Sequence, residues 1–442
     1  MNSTLPTNLD AESDDSADAR LTSNHRRQLA FRIAEAMTDT PVIVLNGARQ
    51  VGKSTLMQSL VDDLIGKSVR YYTLDDPVIR ASVQRDPQGF IAAQTGPVFI
   101  DEVQRAPELF LAIKLAVDQR RKPGQFLLSG SVNVLMLPSL ADSLAGRMEV
   151  ITLWPLAQAE ITATAHNFVD DLFATPHTAD DRLSSLQGLP ADRAAILAML
   201  LAGGYPDAVK RRSERRRAAW FEAYSQTVLQ RDVRELAQIE GLTQMPKLFA
   251  HLAHKACGAL NIADISRSIA LPQTTLKRYL ALLQMVYFIS LVPAWSPRES
   301  HRAQKMPKLF FNDSGLFAHT LGMPPRRAGA VIELSGALLE TWVFNELTKQ
   351  QGWALAPTEL MHYRTSTGME VDFILQDRQG RIVGIEVKAS SQVGANDFKG
   401  LRHLRDLLGT QFHRGIVLHP GVQTVAFDTQ LAAVPLAALW AK

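Results

Sequence analysis

The sequence predicts a multidomain α/β protein, and three observations carry that prediction. At 442 residues the chain exceeds what one compact core serves, so roughly two to four domains are expected. From Arg26 to about Ile161, short apolar runs alternate with amphipathic helical stretches, the pattern of a mostly parallel sheet covered by helices. A long helical stretch follows, and after about Ser335 a second set of β-like runs appears with helices among them.

Composition narrows the class. Apolar residues make up 46% and charged residues 21% of the chain, as in soluble globular proteins. The single cysteine, Cys257, excludes an internal disulfide framework and suits a reducing compartment. Its setting, "HLAHKACGAL", predicts a small core residue on a helix. The N-terminus lacks a basic stretch followed by an apolar one, and no apolar run reaches bilayer length. A cytoplasmic protein without a membrane partner is therefore expected. The net charge of +3 is unevenly spread: Asp10, Glu12, Asp14, Asp15 and Asp18 oppose only Arg20 in the first twenty residues.

The expected organisation is as follows. Residues 1–24, poor in large apolar side chains, form a disordered acidic tail. Residues 25–161 form the first α/β domain, with strands at "PVIVLN", "RYYTL", "PVFID", "QFLLSG" and "MEVITL". A Thr-, Ala- and Asp-rich linker spans 162–190, a helical region 191–240, a helix-rich module 241–325, and a final α/β domain 326–442. There is no internal repeat and no long low-complexity tract.

The clearest chemistry lies in "GARQVGKST". Gly47, Ala48, Arg49, Gln50, Val51, Gly52, Lys53, Ser54 and Thr55 follow the apolar "PVIVL" and precede the helical "LMQSLVDDL", the setting a phosphate-binding loop requires. Glycines let the backbone wrap a phosphate, and the helix N-terminus supplies unpaired N–H groups. Lys53 reaches the outer phosphates and the Ser54 hydroxyl can ligate Mg²⁺. Downstream, "PVFIDEVQ" reads as a buried strand ending in Asp101, placed to hold Mg²⁺ through water, and Glu102, placed to orient an attacking water. ATP and Mg²⁺ are the expected cofactors. "QFLLSGS" ends in Ser129 and Ser131, which either sense the γ-phosphate or form a simple turn. Arg147 is a candidate charge-stabiliser, in cis or from a neighbouring subunit of a homo-oligomer, or else a surface arginine.

At this point a resemblance emerges. "LNGARQVGKSTL", "YYTLDDP", "FIDEVQRAPELF", "LLSGSVNVLM" and "SLAGRMEVITLWPL" resemble the bacterial and archaeal AAA-type ATPases whose C-terminal half is a domain of unknown function. "LLAGGYPDAV", "QRDVREL", "KMPKLFFNDSGL", "GALLETWVFNEL", "YRTSTGMEVDFIL" and "IEVKAS" extend the likeness over almost everything after the tail. It implies ATP binding and hydrolysis, and says little of biology, because that family is largely uncharacterised.

"LNIADISRSIALPQTTLKRYLALLQMVYFISLVPAW" has the cadence of helix, turn and second helix, with Pro272 opening the second. Gln273, Thr274, Lys277 and Arg278 would lie on its exposed side. A strand at "YFISLVP" and the basic "RAQKMPKLFF" would complete a winged helix, which either contacts double-stranded DNA or packs between domains. "KRRSERRRAAW" is a solvated helix face or a phosphate contact. His251 and His254, a helical turn apart without further ligands, are read as helix surface or core.

The last block pairs "EVDFIL" and "IVGIEVKA" around "DRQGR". Glu386 and Lys388 share a strand face, and Asp372 on the neighbouring strand can meet them. Glu340 on the preceding helix could supply a fourth group, with Glu370 an unassigned neighbour. Carboxylates so grouped can bind Mg²⁺ or Mn²⁺ while a lysine positions water. The element order and the D…E-x-K spacing resemble the restriction-endonuclease-like fold. That likeness implies Glu340, Asp372, Glu386 and Lys388 as catalytic residues, with Asp372 and Glu386 on metal. The other reading is an exposed hairpin with ordinary charges. The whole is expected to be an ATPase controlling a DNA-acting half. The alternatives are an ATP-dependent regulatory or scaffold protein, of toxin–antitoxin or stress type, with an inactive nuclease-like domain, and a transcription regulator working through the winged helix.

Overall fold

The computed structural model describes residues 25–63, 69–133, 144–174, 192–237, 242–302, 305–323 and 334–440. The expected acidic tail, most of the 162–190 linker, and the boundary near residue 325 lie outside them.

The first sheet comprises β1 (Val42–Asn46), β2 (Arg70–Thr73), β3 (Val98–Asp101), β4 (Phe126–Gly130) and β5 (Met148–Thr152), in the order β2-β3-β4-β1-β5. Every pairing is parallel. Such strands are buried on both faces, which is why "VIVLN" and "VFID" read as continuous apolar runs. Alternate residues serve opposite layers. Ile43, Leu45, Phe99 and Leu127 pack with α1 (Leu29–Ala36) and α2 (Lys53–Asp63). Val42, Val44, Ile100 and Leu128 pack with α3 (Leu109–Gln119). Because β4 lies between β1 and β3, the carboxyl ends of all three converge on one edge of the sheet.

The middle of the chain is helical: α4 (Arg193–Ala202), α5 (Glu214–Thr227), a π-helical turn at Val228–Asp232, α6 (Met245–Ala253), α7 (Ile262–Ile269) and α8 (Gln273–Met285). Asn261 caps α7 by accepting from the Asp264 amide at 3.0 Å, and Ala270, with φ 55°, turns the chain into α8, which Pro272 precedes. β6 (Ile289–Val292) and β7 (Lys308–Phe311) then form an antiparallel hairpin, followed by α9 (Ser314–Thr320). Cys257 departs from expectation. The helix stops at Ala253, and Cys257 sits in a turn with φ 60°, its thiol 3.3 Å from the Ala337 carbonyl and pushed well up in pKa by burial.

The last region opens with α10 (Gly336–Gln351). Strands β8 (Thr358–Arg364), β9 (Glu370–Asp377), β10 (Ile382–Val387), β11 (Phe412–His419), β12 (Val425–Ala426) and β13 (Leu431–Pro435) make a mixed sheet, ordered β12-β13-β11-β10-β9-β8. Helix α11 (Lys399–Leu408) connects β10 to β11, which are parallel, as a crossover requires.

These regions are not beads on a string. One apolar cluster runs from Leu29 and Ile33 through Tyr224 and Leu283 to Phe344 and Leu439. Phe310 of the hairpin is fully buried, 4.5 Å from the Phe344 ring on α10 and 5.5 Å from Phe373 on β9. Phe310→Ala is therefore expected to cost about 3–5 kcal/mol, read as a lower urea midpoint for unfolding of the last sheet.

Candidate functional site

The phosphate loop begins where β1 ends. Gly47 has φ 151°, and a Cβ there would lie 2.2 Å from the Leu153 carbonyl oxygen, so only glycine lets the loop turn under β5. Gly52, with φ 96°, makes the second left-handed turn, into α2. Lys53 is buried, and its ammonium donates to the carbonyls of Gly47 and Ala48, each at 2.9 Å. Burial lowers its pKa to about 8, against the opposing pull of Glu102 and Asp101.

Asp101, at the end of β3, is the hub. Its Oδ2 accepts from the Ser54 hydroxyl at 2.5 Å and from the Tyr71 hydroxyl at 2.9 Å. Its Oδ1 accepts from the Ser129 hydroxyl and from the Glu102 amide. Glu102 follows in left-handed backbone, φ 57°, a conformation costing a non-glycine residue on the order of 1 kcal/mol. Its carboxylate is held by Gln104 and, at 3.2 Å, by the Ser131 hydroxyl. Ser129 thus buttresses Asp101, and Ser131 orients Glu102. Tyr71 and Gln104 escaped the sequence reading, because alternation along "RYYTL" and "DEVQ" does not say which side chain turns toward a neighbouring strand tip. Burial, followed by Asp101, raises the Tyr71 pKa, so the phenol stays a proton donor.

Beside the loop lies a cavity of about 890 Å³. Its walls include Gly52, Thr55 and Leu56 from the loop and α2, Phe31 from α1, and Arg26 and Lys210. Buried Arg27 fixes that wall, donating to the carbonyls of Val51 at 3.1 Å and Trp154 at 2.5 Å and pairing with Glu160 at 3.2 Å. Arg147 is elsewhere. It precedes β5 at the end that pairs with Val42, opposite the phosphate loop, and holds Asp118 through two bonds of 2.6 and 3.0 Å. A cis role at the phosphates is thereby excluded by distance along the strand.

The C-terminal residues do converge, around a residue the sequence reading left in the wing. Lys308, 2% exposed at the start of β7, places its ammonium 3.0 Å from Glu340, 2.7 Å from Glu370 and 3.4 Å from Asp372. The other Asp372 oxygen accepts from the Val387 amide at 2.9 Å, and Lys388 pairs with Glu386 at 2.9 Å. Among the described residues no group of three or more His, Cys, Asp and Glu side chains is arranged to hold a metal. An internal cation, Lys308, sits among the carboxylates where the sequence reading expected a metal on Asp372 and Glu386. A signal existed, since Lys308 opens an otherwise apolar strand, "KLFF".

Burial and then Asp372 raise the Glu340 pKa to about 8 against the opposing Lys308, and burial and Asp372 raise Glu386 to about 7 against Lys388. Burial pushes Glu370 upward too, but Lys308 and Arg364 outweigh it and hold it low. Lys308 moves the other way from its burial, raised by Glu340, Asp372 and Glu370.

Against this geometry, residues 39–162 match the family model of the AAA domain. The match takes in the phosphate loop and the whole parallel sheet. Residues 193–327 and 335–439 match two domains of unknown function, DUF8612 and DUF4143. The uncharacterized proteins Rv2008c of Mycobacterium tuberculosis and Mb2031c of Mycobacterium bovis are each 29% identical over 412 residues, spanning 93% of this chain and 83% of the relative. Among solved structures, a Walker-type ATPase of Pyrococcus abyssi is 12% identical, with TM-score 0.40, over 67% of this chain and 95% of its own. A RuvB variant of Thermotoga maritima is 15% identical, with TM-score 0.25, over 66% of this chain and 94% of its own. No described helix is long and apolar enough to cross a membrane.

The carboxylate cluster gives a signed pH effect. Glu340 and Glu386 hold protons in the folded protein that they release near pH 4.5 when unfolded. Their contribution to stability is thus complete below about 4.5 and is lost as pH rises through about 7 to 8. Urea midpoints are expected to fall between pH 5 and pH 8.5, with a flatter profile in the Glu340→Gln/Glu386→Gln double variant.

Proposed function

We propose that the chain is an ATP-dependent regulatory protein: a Mg²⁺-dependent ATP hydrolase whose nucleotide state controls its helical and C-terminal parts. One observation carries the reading, the network in which Asp101 gathers Ser54, Tyr71, Ser129 and the Glu102 amide at the mouth of the phosphate loop. Lys53 and the loop amides bind the β- and γ-phosphates of the substrate, and the neighbouring cavity takes base and ribose. Ser54 and Asp101, already within bonding distance of each other, suit Mg²⁺, which when bound neutralises charge on the β- and γ-phosphate oxygens. Glu102 orients water for attack. The water oxygen bonds to the γ-phosphorus, the bond to the β,γ-bridging oxygen breaks, ADP departs with that electron pair, and the water proton passes by way of Glu102 to phosphate.

For the C-terminal half, the occupied carboxylate cluster favours a gripping or regulatory part over a cutting one. Lys308 supplies the positive charge that a metal would bring, and it is anchored by β7. A nuclease reading draws support from the meeting of Glu340, Asp372, Glu386 and Lys388 and from the element order. It requires Lys308 to withdraw. Exposed Gln273, Thr274, Lys277 and Arg278 on α8 suit a duplex DNA partner in either case.

Two assays test this. Lys53→Ala is expected to abolish ATP hydrolysis, and Glu102→Gln to keep nucleotide binding while turning over about 100-fold more slowly or less. Unchanged turnover in both would overturn the reading. Supercoiled plasmid with Mg²⁺ or Mn²⁺ is expected to stay intact with and without ATP. Nicking that vanishes in Lys388→Ala would move the C-terminal half to the nuclease reading.

A further inference from the structure

We propose that Arg49 reads the γ-phosphate of ATP and reports it through Asp232 to the π-helical turn at Val228–Asp232. The inference rests on the phosphate loop being an ATP site, and it concerns two residues that this reading leaves without a task. Arg49 lies between the two glycines of the loop, and its backbone belongs to the phosphate cradle. Its guanidinium turns across to the helical region, where Nε lies 2.6 Å from Asp232 Oδ2. The Arg49 side chain is 27% exposed and that of Asp232 only 7%. The same spot is pinned again: the Tyr224 hydroxyl donates to the Arg49 carbonyl at 3.2 Å and lies 3.1 Å from the Tyr205 hydroxyl.

Three features make the pair a relay and not only a brace. First, the Lys53 ammonium lies 2.9 Å from the carbonyls of Gly47 and Ala48, the residues just before Arg49 in the loop, so the Arg49–Asp232 pair stands beside the phosphate-binding group. A γ-phosphate drawn to Lys53 therefore brings negative charge toward Asp232, a like-charge approach that is unfavourable unless Arg49 answers it. Second, a guanidinium fork bonds phosphate as readily as carboxylate, so Arg49 can exchange one partner for the other without loss of charge pairing. Third, Asp232 ends a π-helical turn between α5 and Val233–Ala237. Such a turn is an irregular, locally strained insertion in a helix and a frequent hinge at functional sites. ADP, lacking the γ-phosphate, leaves the Arg49–Asp232 pair in place.

The test compares ADP with a non-hydrolysable ATP analogue, both with Mg²⁺, by calorimetry and by hydrogen exchange. Arg49→Ala is expected to weaken the analogue about tenfold while leaving ADP nearly unchanged, and Asp232→Asn to tighten the analogue relative to ADP. Arg49→Lys, which keeps charge without the fork, is expected to fall between. In the unsubstituted protein, exchange across residues 224–234 is expected to rise with the analogue and not with ADP. That measurement stands even where a variant fails to fold. Equal weakening of both nucleotides in Arg49→Ala, or no analogue-specific change across 224–234, would overturn the inference and leave the ATP site standing. Failure of the unsubstituted protein to bind either nucleotide would overturn the ATP reading and the inference with it.

Discussion

Glu346 and Lys349 of α10 pair at 2.9 Å with side-chain exposures of 1% and 5%, and the placement of the other parts follows from where their remaining bonds go. Lys349 donates to the Leu156 carbonyl, and Glu346 accepts from the Gln158 amide, each at 2.9 Å, so the segment leaving β5 is fastened to α10. One residue on, Gln350 accepts from the Phe168 amide and donates to the Leu439 carbonyl. A buried ion pair is a weak source of net stability but a strong constraint on geometry, because removing either partner strands a charge. The same helix gives Asn345 to the Phe311 carbonyl of the hairpin and Glu340 to Lys308. The first α/β domain, the helical region and the last sheet therefore meet on one helix.

That arrangement explains how a phosphate loop and a distant carboxylate cluster come to share a chain. The phosphate-loop edge is attached to the helical region by Arg49 to Asp232, by the Tyr224 hydroxyl to the Arg49 carbonyl, and by the Asn133 amide to the Met285 carbonyl at the end of α8. The helical region in turn presents β7, whose first residue enters the carboxylate cluster and whose third, Phe310, enters the apolar core of the last region. Lys308 is thus a direct link between the helical region and the cluster. Burial and the neighbouring Asp372 raise Glu340 and Glu386 against the pull of Lys308 and Lys388, while Lys308 holds Glu370 low.

Much of this was legible in the residues. The phosphate loop, the two acids at the end of β3 and the strand positions follow from patterns that local physics enforces: glycines where φ is positive, and apolar runs where both strand faces are covered. The hairpin of β9 and β10 and the convergence of Asp372, Glu386 and Lys388 follow from strand alternation. What could not be read were partners brought together by tertiary packing. Lys308 is 32 residues from Glu340 and 64 from Asp372, and nothing local marks its strand as the one that crosses to them. Arg49 and Asp232 are equally remote. For Arg147 the sequence left a cis role open beside a surface one, since a strand's sequence does not say which of its ends faces the phosphate edge. Cys257 fell outside its expected helix because the apolar period continues past the point where the chain turns.

A crystal structure grown with a non-hydrolysable ATP analogue and Mn²⁺ would test the account most directly, through the anomalous signal of the metal. The account predicts a peak beside Ser54 and Asp101 at the analogue's outer phosphates, and none among Glu340, Asp372 and Glu386, where Lys308 keeps its place. A peak within the carboxylate cluster, with Lys308 displaced, would contradict the claim that this site is closed by its own chain. An empty phosphate loop would contradict the nucleotide assignment itself.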